Sequence, residues 1–188
     1  LVEVFREVRR VLTDDGTLWV NIGDSYSRDP RKGGSGPNGK HDSIPDYGNA
    51  RKIMSEKRGS SDGAVGRADR VGGEGIKPKD MIGIPWMLAF ALRDDGWYLR
   101  QDIIWNKPNP MPESVRDRCT KAHEYIFLLS KSERYYFDHD VMKEEAVGGG
   151  ERSRRSVWTV TPKPYKGAHF AVYPPELIEP CILAGCPE

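Results

Sequence analysis

Apolar residues fall into a small number of periodic blocks separated by long polar stretches. Leu1, Val4, Phe5, Val8, Val11 and Leu12 recur at the three-and-four spacing of an amphipathic helix, with Arg6, Arg9 and Arg10 on its other side. Asp14-Asp15-Gly16 supplies turn chemistry, and Thr17 to Ile22 then reads as a buried strand. The same phrase returns later. Pro85 opens a second helical run to Leu92, Asp94-Asp95-Gly96 closes it, and Trp97 to Trp105 reads as a second strand. Two helix–turn–strand units in succession predict an α/β doubly wound sheet. His123 to Leu129, a Ser130–Glu133 turn and Arg134 to Phe137 then read as a β-hairpin, placing an antiparallel pair at the sheet's edge. Pro174 to Gly185 predicts a last helix, opened by prolines and left through glycine.

The polar stretches change this picture in two places. Residues 25–79 carry twelve Lys/Arg against seven Asp/Glu, eleven glycines and little apolar content. Such a composition cannot bury enough surface to order itself, so the segment reads as a basic, Gly-rich, flexible insertion. A second basic stretch, within 140–168, runs from Gly148-Gly149-Gly150 through Arg152, Arg154, Arg155, Lys163 and Lys166. The net charge of +1 over 188 residues conceals this asymmetry and says nothing about partners by itself. Cys119, Cys181 and Cys186 form no CxxC pattern, so they are read as free thiols in a reducing compartment, with no metal site. No apolar run approaches the about 18 residues that a membrane span needs, and a cytoplasmic protein is expected. The first residue is Leu1 and the chain opens within a helical pattern, so a truncated reading frame or excised segment is expected.

Three phrases carry a family resemblance: Gly16-Thr17-Leu18-Trp19-Val20-Asn21-Ile22-Gly23-Asp24-Ser25-Tyr26, then Ile104-Trp105-Asn106-Lys107-Pro108-Asn109, then the run from Lys163 to Ile178 containing His169-Phe170-Ala171-Val172-Tyr173-Pro174-Pro175. In their order and spacing they resemble the catalytic half of DNA amino-methyltransferases of the β-type motif order. The resemblance covers nearly the whole chain outside 25–79. It implies a Rossmann-like, S-adenosylmethionine-dependent methyltransferase sheet, incomplete here, because two family landmarks do not occur in the sequence. One is the catalytic (Asp/Ser/Asn)-Pro-Pro-aromatic tetrapeptide, which precedes this material in the family. The other is the Gly-rich Asp-Pro-Phe cofactor loop, which follows it. Thr161-Pro162-Lys163-Pro164-Tyr165 and Tyr173-Pro174-Pro175-Glu176 look loosely like the tetrapeptide, but neither is expected to follow a strand and neither has its residue order.

The activity implied is methyl transfer from S-adenosylmethionine to N4 of cytosine or N6 of adenine in double-stranded DNA, in a bacterial or phage-infected cell. A restriction endonuclease is an implied partner, and the isolated segment is expected to be inactive. Such chemistry requires the base to leave the stack, a polar group to orient its amino nitrogen, and aromatic faces to hold the ring. In an open α/β sheet, ligands sit beyond the carboxyl ends of strands. Trp105, Asn106, Lys107, Pro108 and Asp24 lie there and are the base-pocket candidates. Trp105 reads equally as a core residue capping its strand, and Asp24 as a turn residue satisfying its own backbone. His169, Phe170, Ala171, Tyr173 and Pro174 are the cofactor-side candidates, with His169 otherwise a loop residue bonding backbone. Arg116, Arg118, Lys121, Arg152, Arg154, Arg155, Lys163 and Lys166 are candidates for neutralising phosphates, or else form a solvated basic surface. A non-catalytic DNA-binding α/β module is the competing class. A different α/β enzyme lacks support from any Walker A motif.

Overall fold

The computed structural model describes residues 1–27, 76–163, 167 and 172–187. They divide into two compact units, Leu1–Ser25 with Gly83–Glu188, and Tyr26–Ile82. In the larger unit the elements are α1 (Val2–Val11), β1 (Thr17–Ile22), α2 (Ile84–Asp94), β2 (Tyr98–Asn106), β3 (His123–Ser130), β4 (Lys143–Glu145), β5 (Glu151–Ser153), β6 (Val157–Thr159) and α3 (Pro175–Gly185). In the smaller unit, Tyr26 bridges Met81 and Ser27 exchanges backbone hydrogen bonds with Asp80 and Lys79. Nearly all of the 25–79 insertion lies outside the described residues.

The main sheet runs β1–β3–β2–β6. Strand β3 is antiparallel to both β1 and β2, and β6 is parallel to β2. This corrects the expected hairpin at the edge. His123 to Ser130 lies inside the sheet, and Arg134 to Phe137 forms no strand. The physical reason is in β3's own sequence. Ile126, Phe127, Leu128, Leu129 and Ser130 are all buried, the pattern of a strand covered on both faces. The Arg134–Phe137 stretch instead clamps neighbours, with Tyr136 N–H donating to Asp15 O at 2.8 Å and Phe137 stacking on Trp19 at 6.5 Å.

Alternation along the strands splits the core into two layers. Val20, Phe127 and Leu129 face α1 and α2, packing with Leu88, Ala89, Leu92 and Trp97. Ile126, Ile103 and Trp105 face the opposite side, with Trp158, Met142 and the Leu177, Cys181 and Ala184 stripe of α3. Leu99 and Ile103 share parity yet belong to different layers. The register shift between Leu99 and Gln101 inserts one residue, and this bulge turns the rest of β2 over. The result is a mixed α/β unit with helices on both faces of a partial sheet.

The two Asp-Asp-Gly turns fold differently. After α2, Gly96 adopts φ 100°, its N–H bonds Arg93 O, and Trp97 N–H bonds Leu92 O, the paired bonds of a Schellman cap. After α1, Leu12 is already extended, and the last turn is capped from outside. Lys131 Nζ donates to Leu12 O at 2.8 Å and pairs with Asp14 at 3.0 Å.

Candidate functional site: the strand-end rim and the basic hairpin

Strands β1 and β2 both run antiparallel to β3, so their carboxyl ends share one side of the sheet with the start of β3. The register places Ile22 opposite Tyr125, Ile104 opposite Tyr125, and Asn106 opposite His123. The rim therefore gathers Gly23 and Asp24, Asn106 and Lys107, and His123, Glu124 and Tyr125. Two of the expected candidate groups, Asp24 and Asn106–Lys107, do converge there. His123, Glu124 and Tyr125 were not anticipated, because a strand assigned to an edge hairpin has no claim on the central rim. The aromatic pair His123–Tyr125, spaced by two ahead of a buried run, was the available signal.

Each rim side chain has a definite task. Asp24 Oδ1 accepts hydrogen bonds from the N–H groups of Ser25, Gly83 and Ile84 at 2.8, 2.9 and 3.0 Å. Gly83 is the N-cap of α2, has φ 81° and offers no side chain, so Asp24 caps that helix from across the fold. Trp105 lies in the core layer at 5% exposure, and its Nε1 donates to Val160 O at 2.8 Å. Lys107 Nζ sits 4.1 Å from the Trp105 ring centroid and forms an ion pair with Glu124. Asn106 Nδ2 donates to Thr159 Oγ1 at 3.1 Å, while Pro108 lies exposed in the following turn. Tyr125 packs edge-on against His123 and Trp86, with centroids at 5.4 and 5.5 Å, and stacks on Phe127 at 5.9 Å.

An apolar pocket of about 340 Å³ opens between β1 and α3, walled by Trp19, Ile126, Tyr173, Ile178 and Ile182. Tyr173, one of the cofactor-side candidates, lies at this pocket, and Pro174 is the buried N-cap of α3. His169, Phe170 and Ala171 lie outside the described residues. Flat walls at Trp19 and Tyr173 suit an adenine ring. The charged methionine end of S-adenosylmethionine would need charged partners, and no lining residue of this pocket carries one. The lining of this pocket is thus suited to an apolar ring and not to the whole cofactor.

The basic candidates are arranged unevenly. Arg118 pairs with Glu113 at 2.6 Å; this hydrogen bond, aided by the Lys121 N–H, holds the Glu113 carboxyl below its ordinary value. Arg116 is exposed, Lys163 pairs with Glu176, and Lys166 lies outside the described residues. The 140–168 region, expected as a loop, contains the β4–β5 hairpin and the strand β6. On the hairpin, Arg152 Nε and Arg155 Nε both donate to Glu144 Oε1, at 3.0 and 2.8 Å. Arg154 instead lies over the Trp158 ring, 4.2 Å from its centroid. Burial alone would raise the Glu144 pKa, but hydrogen bonds and charge from Arg155 and Arg152 outweigh it and lower the value. Among the described residues, no group of three or more His, Cys, Asp or Glu is placed to hold a metal ion. No helix among them is long and apolar enough to cross a membrane.

The described residues thus form a mixed α/β open sheet whose strand ends converge on a polar and aromatic rim. The family model described as DNA methylase, of the N6/N4 methyltransferase type, matches residues 1–188, and the chain belongs to that family. It is 54% identical over 184 residues to the Type II methyltransferase M.Cfr9I of Citrobacter freundii, covering 98% of this chain and 54% of that protein. It is 51% identical over 187 residues to the Type II methyltransferase M.SmaI of Serratia marcescens, covering 98% of this chain and 57% of that protein. The chain thus spans about half the length of the curated relatives it matches. A solved M1.HpyAVI–SAM complex overlaps 55% of this chain and 46% of that one, at TM-score 0.38 and 21% identity, too loosely to carry an argument.

Proposed function

We propose that this chain is part of a site-specific DNA methyltransferase that transfers methyl from S-adenosylmethionine to N4 of cytosine or N6 of adenine in double-stranded DNA. The observation that carries the reading is the family match over residues 1–188, with the strand-end rim as the place where a base would be received. On this reading the sheet is a portion of a Rossmann-like methyltransferase sheet, and a restriction endonuclease in the same bacterial cytoplasm is its functional partner.

S-adenosylmethionine, when bound, supplies an electrophilic methyl group; this chain's residues position the acceptor. A base out of the duplex stack brings a flat ring and an exocyclic amino group to the rim. Tyr125 and His123 offer the aromatic faces, since Trp105 is enclosed in the core. Asn106 already donates through Nδ2 to Thr159, which leaves its Oδ1 to accept a hydrogen bond from an amino group. Lys107 is held by Glu124 over Trp105 on the opposite face of the same strand end. Asp24 acts at one remove, by fixing the start of α2 beside the rim. Tyr173 and Pro174, with His169, Phe170 and Ala171, are assigned to the cofactor side. Arg116, Arg118, Lys121, Arg152, Arg154, Arg155, Lys163 and Lys166 make up the proposed DNA-facing set.

The test is methyl transfer in vitro from tritiated S-adenosylmethionine. The chain alone carries neither landmark motif and is expected to transfer nothing to DNA. Grafted in place of the matching segment of the M.SmaI relative, it is expected to restore transfer. An inactive graft beside an active parent, with the graft folded and binding DNA, would favour the non-catalytic binding module instead.

A further inference from the structure

The β4–β5 hairpin carries an arrangement that simple phosphate binding does not explain. Its ladder pairs Glu144 directly with Arg152, and the next pair along the same face is Met142 with Arg154. That inner end is anchored in the core, with Met142 buried and the Arg154 guanidinium over the Trp158 ring. At the outer end, Glu144 Oε1 takes the Nε of Arg152 and the Nε of Arg155 together. Their side-chain exposures are 27%, 32% and 68%, so Glu144 and Arg152 are about equally sheltered and Arg155 reaches solvent. Among the described residues, no hydrogen-bond partner meets the Nη groups of either arginine.

We infer that Glu144 is a positioning residue that aims the Nη forks of Arg152 and Arg155 at guanine edges in the major groove of the DNA substrate. The inference rests on the DNA methyltransferase reading above and names the part of the substrate that this hairpin reads. Guanine alone presents two adjacent acceptors, O6 and N7, in the major groove, and a guanidinium presents only donors. With Nε committed to Glu144, each arginine is left with the end-on pair of donors that this contact uses. A carboxylate beside these arginines would repel a phosphate, so a surface built only to grip the backbone gains nothing from Glu144.

The experiment is selection of duplexes from a pool with a randomised centre, using the 188-residue chain at low salt, followed by sequencing and affinity measurement. The wild type is expected to enrich guanine at fixed positions by about tenfold, the scale of one bidentate contact. Arg152→Lys and Arg155→Lys keep the charge and lack the fork; each is expected to weaken binding of the guanine-bearing duplex by about tenfold, down to the level of the unselected pool, with the salt dependence unchanged and the preference lost at its own position. Glu144→Ala, which removes the shared acceptor, is expected to bind unselected DNA at least as tightly as the wild type, with the guanine preference flattened. A merely structural role would lower all binding together and leave the sequence profile intact. Duplex binding without guanine enrichment, enrichment that survives Arg152→Lys and Arg155→Lys, or a Glu144→Ala profile matching the wild type would each overturn the inference while leaving the DNA reading standing. A folded chain that binds no duplex at low salt would overturn both.

Discussion

Replacing Asp24 with alanine removes the only side-chain acceptor found at the start of α2 among the described residues. Its Oδ1 receives the N–H groups of Gly83 and Ile84 at 2.9 and 3.0 Å, and Gly83 has no side chain with which to replace it. Losing an N-cap acceptor costs about 1 kcal/mol, and losing a negative charge at a helix N-terminus about 0.3–1 kcal/mol more. For a chain of this size 1 kcal/mol lowers Tm by about 2–4 °C, so Asp24→Ala should lower it by about 3–8 °C. Asp24→Asn keeps an acceptor oxygen and loses only the charge, so its Tm should fall by about 1–4 °C. Thermal unfolding followed by circular dichroism reads the shift, and hydrogen exchange at Gly83 and Ile84 reads the cap itself. An Asp24→Ala protein with unchanged Tm and unchanged exchange would refute the capping argument. So would an Asp24→Asn protein as unstable as Asp24→Ala.

Further expectations follow from the same geometry. Burial pushes the Cys181 thiol up to about 12; at pH 8 a thiol-specific reagent should therefore label exposed Cys119 and Cys186 rapidly and leave Cys181 unlabelled until unfolding. A Cβ at Gly185 would collide with Thr17 Oγ1 and press on Trp19 Nε1 at 3.1 Å, so Gly185→Ala should cost about 1–3 kcal/mol in denaturant unfolding. The Arg6 hydrogen bond holds the Asp95 carboxyl below its ordinary 3.8. Its contribution is present above that value and lost as pH falls through the lower folded-state one, so the Tm gap between wild type and Asp95→Asn should close below pH 3.8. A gap that persisted unchanged at still lower pH would count against that ion pair.

Much of the fold was legible because hydrophobic period survives translation into three dimensions. The strand at Thr17–Ile22, the helices at Val2–Val11 and Ile84–Asp94, and the proline-opened α3 lie where apolar spacing and turn residues place them. Pairing was harder to read. The buried run Ile126–Ser130 states that β3 is covered on both faces but does not name its neighbours, and the following turn residues suggested a hairpin that long-range pairing with β1 and β2 replaced. The bulge at Arg100 was equally silent, since nothing in the local sequence separates Leu99 from Ile103 in facing. The candidate site was legible by position and less so by role. Asn106 and Lys107 were placed on the rim by their strand end, whereas Asp24's use as a cap depends on Gly83, about sixty positions away. Glu144 gave no signal, because its importance arises only when a hairpin brings two arginines onto one oxygen.

The central claim is methylation of an exocyclic amino group, and the nucleosides of treated DNA test it most directly. DNA exposed to the graft of residues 1–188 in the M.SmaI frame, digested and analysed by mass spectrometry, should contain N4-methylcytosine or N6-methyladenine. Only 5-methylcytosine, or no methylated nucleoside while the parent protein modifies the same DNA, would contradict the account.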